Sequence, residues 1–460
     1  MTMIPTSLIR QFDIPGPRYT SYPTADRFYN DPKAQALLKG IEVRRNNPRA
    51  LSIYIHIPFC ESICYYCGCN KLVTKNHGMA VAYLQTLFKE IDQVVALLDH
   101  GGPKDIEVAQ LHLGGGSPTF LSDEQLDELI SHLNYRFTWL EHCEKSIEID
   151  PRTVNSERLQ HLKQLGFNRL SLGIQDFDPQ VQLAIHRIQS YESVQSLLRA
   201  ARDSEFDSIN MDLIYGLPKQ TPDTFKRTLS QVAVLRPERI ALYGYAHLPE
   251  RFKPQRRINT EDLPDAEQKC AMLESAVNYF MAQGYEYIGM DHFALAHDEL
   301  ARVKKEGRLH RNFQGYHTLK DCDLIGFGVS AISEVGHCYS QNAKSYDQYS
   351  SLVAAGSLPT EKGLELTVDD QLRRRIIMAL MCQGEVKIQE IEEEFSVNFD
   401  KYFTNELLRL ADFERAGLLK INADRIEVNE QGWFLIRPIA MVFDYYVWQQ
   451  TDHQRFSKVL

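Results

Sequence analysis

Cys60, Cys64 and Cys67 carry the strongest chemical signal in the chain. They stand in Phe59-Cys60-Glu61-Ser62-Ile63-Cys64-Tyr65-Tyr66-Cys67-Gly68-Cys69, directly after the apolar run Leu51–Ile57. Three thiolates spaced Cys-x3-Cys-x2-Cys at a strand end can hold three irons of a four-iron cluster. A closed structural cluster uses four cysteines, so three leave one iron free to bind something else. In radical chemistry that ligand is S-adenosylmethionine. A structural zinc site is one rival, but zinc ligands usually come as two separated knuckles and no second pair stands nearby. Redox-active thiols are the remaining alternative.

The chain that must position this loop has 460 residues, nine cysteines and a net charge of −10. That length suits one large domain with appendages. The scattered Cys143, Cys270, Cys322, Cys338 and Cys382 read as small buried apolar residues, not as a disulfide framework. No apolar run approaches the roughly 20 residues of a membrane helix. Met1-Thr2-Met3-Ile4-Pro5-Thr6 shows no leader, so a cytoplasmic protein is expected. The acidic balance, without a basic block, argues against nucleic acid as partner. An anionic substrate would need local cations.

From Leu51 onward, strands and helices alternate. Strands are expected at Ser52–Ile57, Ile106–Leu113, Ser146–Ile149, Arg169–Ile174, Ile209–Tyr215 and Arg239–Tyr245. Helical patterns fall between them, at Ala80–Leu98, Asp123–Leu133, Ser156–Leu165, Pro179–Ile185 with Glu192–Asp203, and Asp223–Leu235. Ser122-Asp123-Glu124-Gln125 reads as a capping box, and Gly166 as a left-handed helix end. Six such units predict an α/β fold, a partial (β/α)6 barrel of parallel strands with right-handed crossovers. Its chemistry belongs at the C-terminal strand ends. Residues 1–45 read as an N-terminal arm, extended over Gly16–Thr24 by its prolines. Residues 46–360 read as the catalytic barrel and 361–460 as a helical lid. In the lid, Leu418–Ile421 and Arg425–Val428 flank Asn422-Ala423-Asp424 as a hairpin, giving a winged-helix-like shape.

Each informative motif falls at one of these strand ends. Gly114-Gly115-Gly116 follows the second strand and lets backbone approach a ligand closely, although such triplets also mark plain tight turns. Glu148 and Asp150 close the third strand, Gln175 and Asp176 the fourth. Asp212 lies in the fifth, and Tyr245-Ala246-His247 ends the sixth. Burying a carboxylate without partners is costly, so Glu148 and Asp212 suit ribose hydroxyls or a sulfonium, with structural salt bridges as the alternative. Tyr54 and His56 flank the first strand's end, where a lone histidine is more often a satisfied core residue. Gly307–Tyr316 clusters cations, amides and rings that could grip carboxylates or form a solvated loop.

Together these residues resemble the radical S-adenosylmethionine superfamily. Gly16–Thr24, Tyr54–Asn70, Gly166–Gln175, Asn210–Pro218, Tyr245–Pro249, Gly289–Ala294, His310–Tyr316 and the tail resemble, more narrowly, the oxygen-independent coproporphyrinogen III oxidases of haem biosynthesis. The resemblance implies one [4Fe-4S] cluster on Cys60, Cys64 and Cys67 and two molecules of S-adenosylmethionine. Tyr54, Gly115, Glu148 and Ile332 match contacts to the first. Tyr66, Gly116, Ser117, Gln175, Arg187, Asp212 and Ala246 match contacts to the second, with Ser117 standing where the family has threonine. Cys69 matches a cysteine needed for activity without ligating the cluster. The implied reaction decarboxylates two propionates of coproporphyrinogen III to vinyl groups, giving protoporphyrinogen IX through a 5′-deoxyadenosyl radical. It also implies an electron donor of low potential and an electron acceptor, neither identified by the sequence. Arg311 and Arg18 are the expected cations for the substrate's carboxylates, and a monomer suffices. The alternative is a haem-binding chaperone of the same superfamily, which usually lacks the N-terminal arm and the equivalent of Cys69.

Overall fold

The computed structural model describes residues 8, 11–12, 14–98, 106–319 and 322–449. Met1–Thr6, read above for a leader, lies outside them. The chain divides into two compact units, one of residues 28–268 with 321–365, the other of residues 1–27, 269–320 and 366–460. The sequence reading cuts the chain into three successive pieces; the structure instead groups 269–320 with the tail and the first part of the arm.

The first unit contains the six expected parallel strands: β1 (Leu51–Ile57), β2 (Glu107–Gly115), β3 (Thr138–Ile149), β4 (Arg169–Gln175), β5 (Ser208–Tyr215) and β6 (Arg239–Gly244). They lie side by side in chain order. One face of the sheet is fully buried, through Ile53, Ile55, Ile57, Leu111, Leu113, Ile147, Leu172, Met211, Leu213 and Leu242, while the opposite face carries the half-buried Tyr54, His112, Glu148, Ser171, Asn210 and Asp212. Beyond β1 the sheet continues through β7 (Asp323–Phe327), parallel to it, and then antiparallel β8 (Ile332–Val335), β9 (Cys338–Asn342) and β10 (Thr360–Glu365).

The unit also contains helices α1 (Gln35–Asn46), α2 (Gly78–Leu98), α3 (Asp123–Arg136), α4 (Ser156–Gln164), α5 (Pro179–Ala184), α6 (Tyr191–Asp203), α7 (Pro222–Leu235) and α8 (Tyr346–Ala354). The Ser122–Gln125 capping box is present at the start of α3, and Gly166 has φ +90°. Several elements exceed the sequence reading, strands β7 to β10 among them. Helix α1 occupies the last part of what reads as an N-terminal arm, where the sequence reading places no helix. Strand β3 begins at Thr138, because its register against β2 skips from Trp139 to Glu144 and hides the alternation.

Helix α2 is tied to the sheet by a buried carboxylate. Glu90 accepts from Gly328 N–H at 2.8 Å, Tyr349 O–H at 2.6 Å and Asn342 Nδ2 at 2.6 Å. Among the described residues no cation pairs with it, and burial pushes its carboxyl up to about 7. Nearby, Tyr83 on α2 donates to the His56 carbonyl at 2.6 Å, holding the end of β1.

In the second unit, Val368–Gln383, Ile388–Phe395 and Thr404–Arg415 are helical, and Glu385–Lys387 joins the expected hairpin in a three-stranded sheet. This is the winged-helix-like form read from the tail. The arm packs on it: Phe12 stacks on Phe413 at 4.3 Å, Tyr19 donates to Asp444 at 2.9 Å, and Arg437 donates to the Pro17 carbonyl at 3.2 Å.

Candidate active site

The cysteine loop leaves the C-terminal end of β1 and is pinned along its length. Phe59 is buried against Tyr83 and Phe120, with ring centroids 5.5 and 5.1 Å away. Tyr65 N–H donates to the Ile185 carbonyl at 2.9 Å, and its ring stacks on His186 at 5.0 Å. Gln255 donates to the Tyr66 carbonyl at 3.0 Å. A Cβ on Gly68 would stand 3.1 Å from the Phe252 ring. A loop fixed this way presents its thiols without further ordering, which keeps the entropic cost of binding low.

The thiols feel one another. Burial pushes the Cys60 thiol up to about 12, and the Cys67 and Cys64 sulfurs push it further in the same direction. The Cys67 thiol is pulled down to about 5 by a hydrogen bond from Cys69 and then by Lys71, and Cys69 is raised in turn. Cys64 accepts from two guanidinium groups, Arg187 Nη1 at 3.6 Å and Arg152 Nη2 at 3.7 Å. Among the described residues no three His, Cys, Asp or Glu side chains close around one point as ligands of a single ion. A four-iron cluster instead places each thiolate on a different iron. Three neighbouring thiols on a pinned loop, with cations at one sulfur to offset thiolate charge, fit such a group.

Beside the loop lies a set of residues on β1, β2, β3 and β8. Glu148 accepts the Gly115 N–H at 3.1 Å and faces His112 Nε2 at 3.4 Å. The His112 ring stacks on Tyr54 at 5.8 Å, and Tyr54 O–H lies 3.1 Å from His56 Nδ1. Burial lowers the His56 pKa, keeping it neutral near pH 7. Gly115 has φ +115°, and a Cβ there would meet the His56 ring at 2.7 Å. Only glycine allows this close turn. Ile332 adjoins Tyr54 through Gly326, which pairs with Tyr54 in register and whose Cβ would stand 2.5 Å from the Ile332 carbonyl oxygen. The four residues expected to form one contact set therefore share one neighbourhood.

Of the second expected set, Tyr66, Gln175 and Asp212 lie near Arg187. Arg187 Nη2 donates to the Gly173 carbonyl at 2.7 Å, two residues before Gln175, which has φ +68°. Burial disfavours the Arg187 charge, but Tyr66, Asp150 and Cys64 together raise its pKa above the usual value. Gln255 bridges the Tyr66 and Ala246 carbonyls at 3.0 and 3.2 Å. Gly116 N–H and Ser117 N–H donate to the Ile57 and Phe59 carbonyls, both at 2.8 Å, so the glycine triplet hugs the cysteine loop. Asp212 is half-buried, held by Asn210 at 2.9 Å and Ser171 at 3.3 Å. Burial and then the Glu148 charge push its carboxyl up to about 7.

The two expected substrate cations lie in the other unit. Arg311 is buried, with its guanidinium 4.6 Å from the Tyr316 ring centroid and Nη2 3.5 Å from the Arg18 carbonyl oxygen. Its Nε and Nη1 have no hydrogen-bond partner among the described residues. Arg18 differs: its guanidinium is paired with Asp291. Two site residues escape the sequence reading. His112 shares its strand face with Gly114, and Arg152 sits two residues past Asp150; each is legible only once cross-strand neighbours are known.

Residues 54–232 match the radical SAM superfamily and residues 366–435 the HemN C-terminal domain. The chain is 47% identical over 455 residues to the oxygen-independent coproporphyrinogen III oxidase of Pseudomonas aeruginosa, covering 98% of each. It is 45% identical to the Escherichia coli enzyme of that name, over 99% of this chain and 98% of that one. A solved structure described as coproporphyrinogen III oxidase (HemN) from Escherichia coli, a radical SAM enzyme, superposes with a TM-score of 0.91 at 44% identity. That match covers 96% of this chain and 99% of the other.

Proposed function

The chain belongs to the oxygen-independent coproporphyrinogen III oxidase family of radical SAM enzymes, and from that premise we propose that it converts coproporphyrinogen III to protoporphyrinogen IX. A [4Fe-4S] cluster and S-adenosylmethionine go with the superfamily. Cys60, Cys64 and Cys67 hold the cluster. Tyr54, Gly115, Glu148 and Ile332 contact one S-adenosylmethionine, and Tyr66, Gly116, Ser117, Gln175, Arg187, Asp212 and Ala246 a second. The observation that carries this reading is Arg187, which reaches the Cys64 sulfur at 3.6 Å and the Gly173 carbonyl at 2.7 Å. It joins the cluster loop to the strand ends of the second set.

When bound, these groups supply one electron and a 5′-deoxyadenosyl radical able to take hydrogen from a propionate β-carbon, after which carbon dioxide and an electron leave. The protein's residues hold and orient. Glu148 aligns the first ligand's cationic end against Gly115, and Asp212 accepts ribose hydroxyls of the second. Such a radical attacks most C–H bonds, so positioning and water exclusion outweigh acid–base chemistry. Cys69 contributes beside the cluster without ligating it. Arg311 offers two unpartnered nitrogens to a substrate carboxylate, a bidentate geometry guanidinium favours; Arg18 joins it on release from Asp291. One chain carries all these groups, so a monomer suffices. The nine free cysteines suit a reducing compartment, the cytoplasm, and among the described residues no helix is long and apolar enough to cross a membrane. An external donor of low potential and an acceptor complete the electron balance.

The chaperone alternative gains no support from relatives matched over their full length. The deciding experiment is anaerobic. The reconstituted protein receives reductant, S-adenosylmethionine, coproporphyrinogen III and an electron acceptor, and protoporphyrinogen IX is the expected product. A reducible cluster that yields no product would overturn the reading.

A further inference from the structure

Asp150 lies between two arginines that both reach one cluster sulfur. Arg152 Nε and Nη2 donate to its two oxygens at 2.9 and 2.6 Å, and Arg187 Nη1 and Nη2 at 3.2 and 3.3 Å. The same guanidinium groups donate to Cys64 Sγ at 3.7 and 3.6 Å. The group is shielded, its side chains 14% exposed for Asp150, 7% for Arg187 and 22% for Arg152. Two cations and one anion leave a net +1 beside Cys64. Neither Asp150 nor Arg152 is needed to explain binding of either S-adenosylmethionine.

An iron–sulfur cluster becomes more negative by one charge on reduction. Its potential follows net charge, hydrogen bonds to its sulfurs and exposure. Fixed cations in a poorly solvated site stabilise the reduced form more than the oxidised form. Charge-assisted hydrogen bonds to a thiolate act in the same direction. Asp150 opposes them, and it also orients both guanidinium groups towards the sulfur.

We propose that Asp150, Arg152 and Arg187 form a charge relay onto Cys64 that sets the reduction potential of the cluster, with Arg152 raising it and Asp150 limiting the rise. The inference rests on the cluster assignment made above. Arg152 is a tuning residue: it touches a cluster ligand, not the substrate.

The test is an EPR-monitored potentiometric titration of the reconstituted [4Fe-4S]2+/1+ couple without S-adenosylmethionine, alongside iron and sulfide counts. Arg152→Gln should move the midpoint to more negative potential, and Arg152→Lys should recover most of the parent value. Asp150→Asn should move it the opposite way. An unchanged midpoint in Arg152→Gln with full iron content, or shifts of the same sign in Arg152→Gln and Asp150→Asn, would overturn the proposal. If Arg152→Gln cannot retain iron, Asp150→Asn alone decides, since a midpoint at or below the parent's defeats the idea. Failure of the parent protein to hold a cluster would instead defeat the cluster assignment.

Discussion

The Glu148 carboxylate accepts the Gly115 N–H at 3.1 Å, tying the end of the third barrel strand to the glycine triplet of the second. A carboxylate fixed by backbone presents its remaining lone pairs in one direction. Glu148→Gln keeps the shape and removes the charge. Loss of a charged hydrogen bond costs about 1.5–3 kcal/mol, so S-adenosylmethionine should bind about 10- to 100-fold more weakly. Equilibrium binding to the reconstituted protein measures this, with iron content as control. Unchanged affinity would remove Glu148 from the site.

Cys67 and Cys69 are shifted in opposite directions within one short loop, the Cys67 thiol pulled down and the Cys69 thiol pushed up. Cys64→Ser should lose both cluster iron and turnover, since a hydroxyl is a poor iron ligand. Cys69→Ser should keep its iron and lose turnover. Iron and sulfide analysis beside a product assay distinguishes them. Iron loss in Cys69→Ser would make Cys69 a ligand and undo the open-iron argument.

A buried guanidinium with two unpartnered nitrogens is costly to maintain, and Arg311 has that arrangement. A bound carboxylate would relieve it. Arg311→Ala should raise the KM for coproporphyrinogen III about tenfold or more while leaving S-adenosylmethionine affinity unchanged. Arg311→Lys should restore only part of the loss, because an ammonium cannot fork. Turnover and KM equal to the parent's in Arg311→Ala would dismiss the assignment.

What the sequence discloses, and what it hides, has a physical pattern. Strands that bury their alternate apolar residues and end at breakers show a clear pattern, so β1, β4, β5 and β6 and the site residues beyond them are legible. Helix α1 is not, because Gly40 sits mid-helix and glycine disfavours helix. The structure explains the glycine: a Cβ there would stand 2.5 Å from the Val335 carbonyl oxygen. His112 and Arg152 are hidden for another reason, since their roles arise from neighbours on other strands or loops. The grouping of 269–320 with the tail is likewise a matter of long-range contact. The Gly40 reading makes its own prediction. Gly40→Ala should destabilise the protein by about 1–3 kcal/mol despite alanine's better helix propensity, as overpacked sites do. A denaturant midpoint equal to or above the parent's would contradict the close packing.

Glu90 predicts how stability depends on pH. Its carboxyl rises from 4.5 to about 7 on folding, through burial that three hydrogen bonds only partly counter. Between these values the folded state binds a proton that the unfolded state has released. Stability from this group is therefore full below pH 4.5 and falls as pH rises towards 7, by a total on the order of 3 kcal/mol. Asp212 and Asp176, raised to about 7 and about 6, act in the same direction, so the parent's total slope is not Glu90's alone. The comparison that isolates it is Glu90→Gln. This variant cannot ionise, and its amide places a donor among Asn342, Tyr349 and Gly328, so it should be less stable than the parent at pH 5. The deficit should shrink as pH rises to 8, where the parent bears the full cost of the buried charge. Denaturant unfolding of both proteins across that range tests this. Parallel pH profiles would show that Glu90 does not change its protonation on folding.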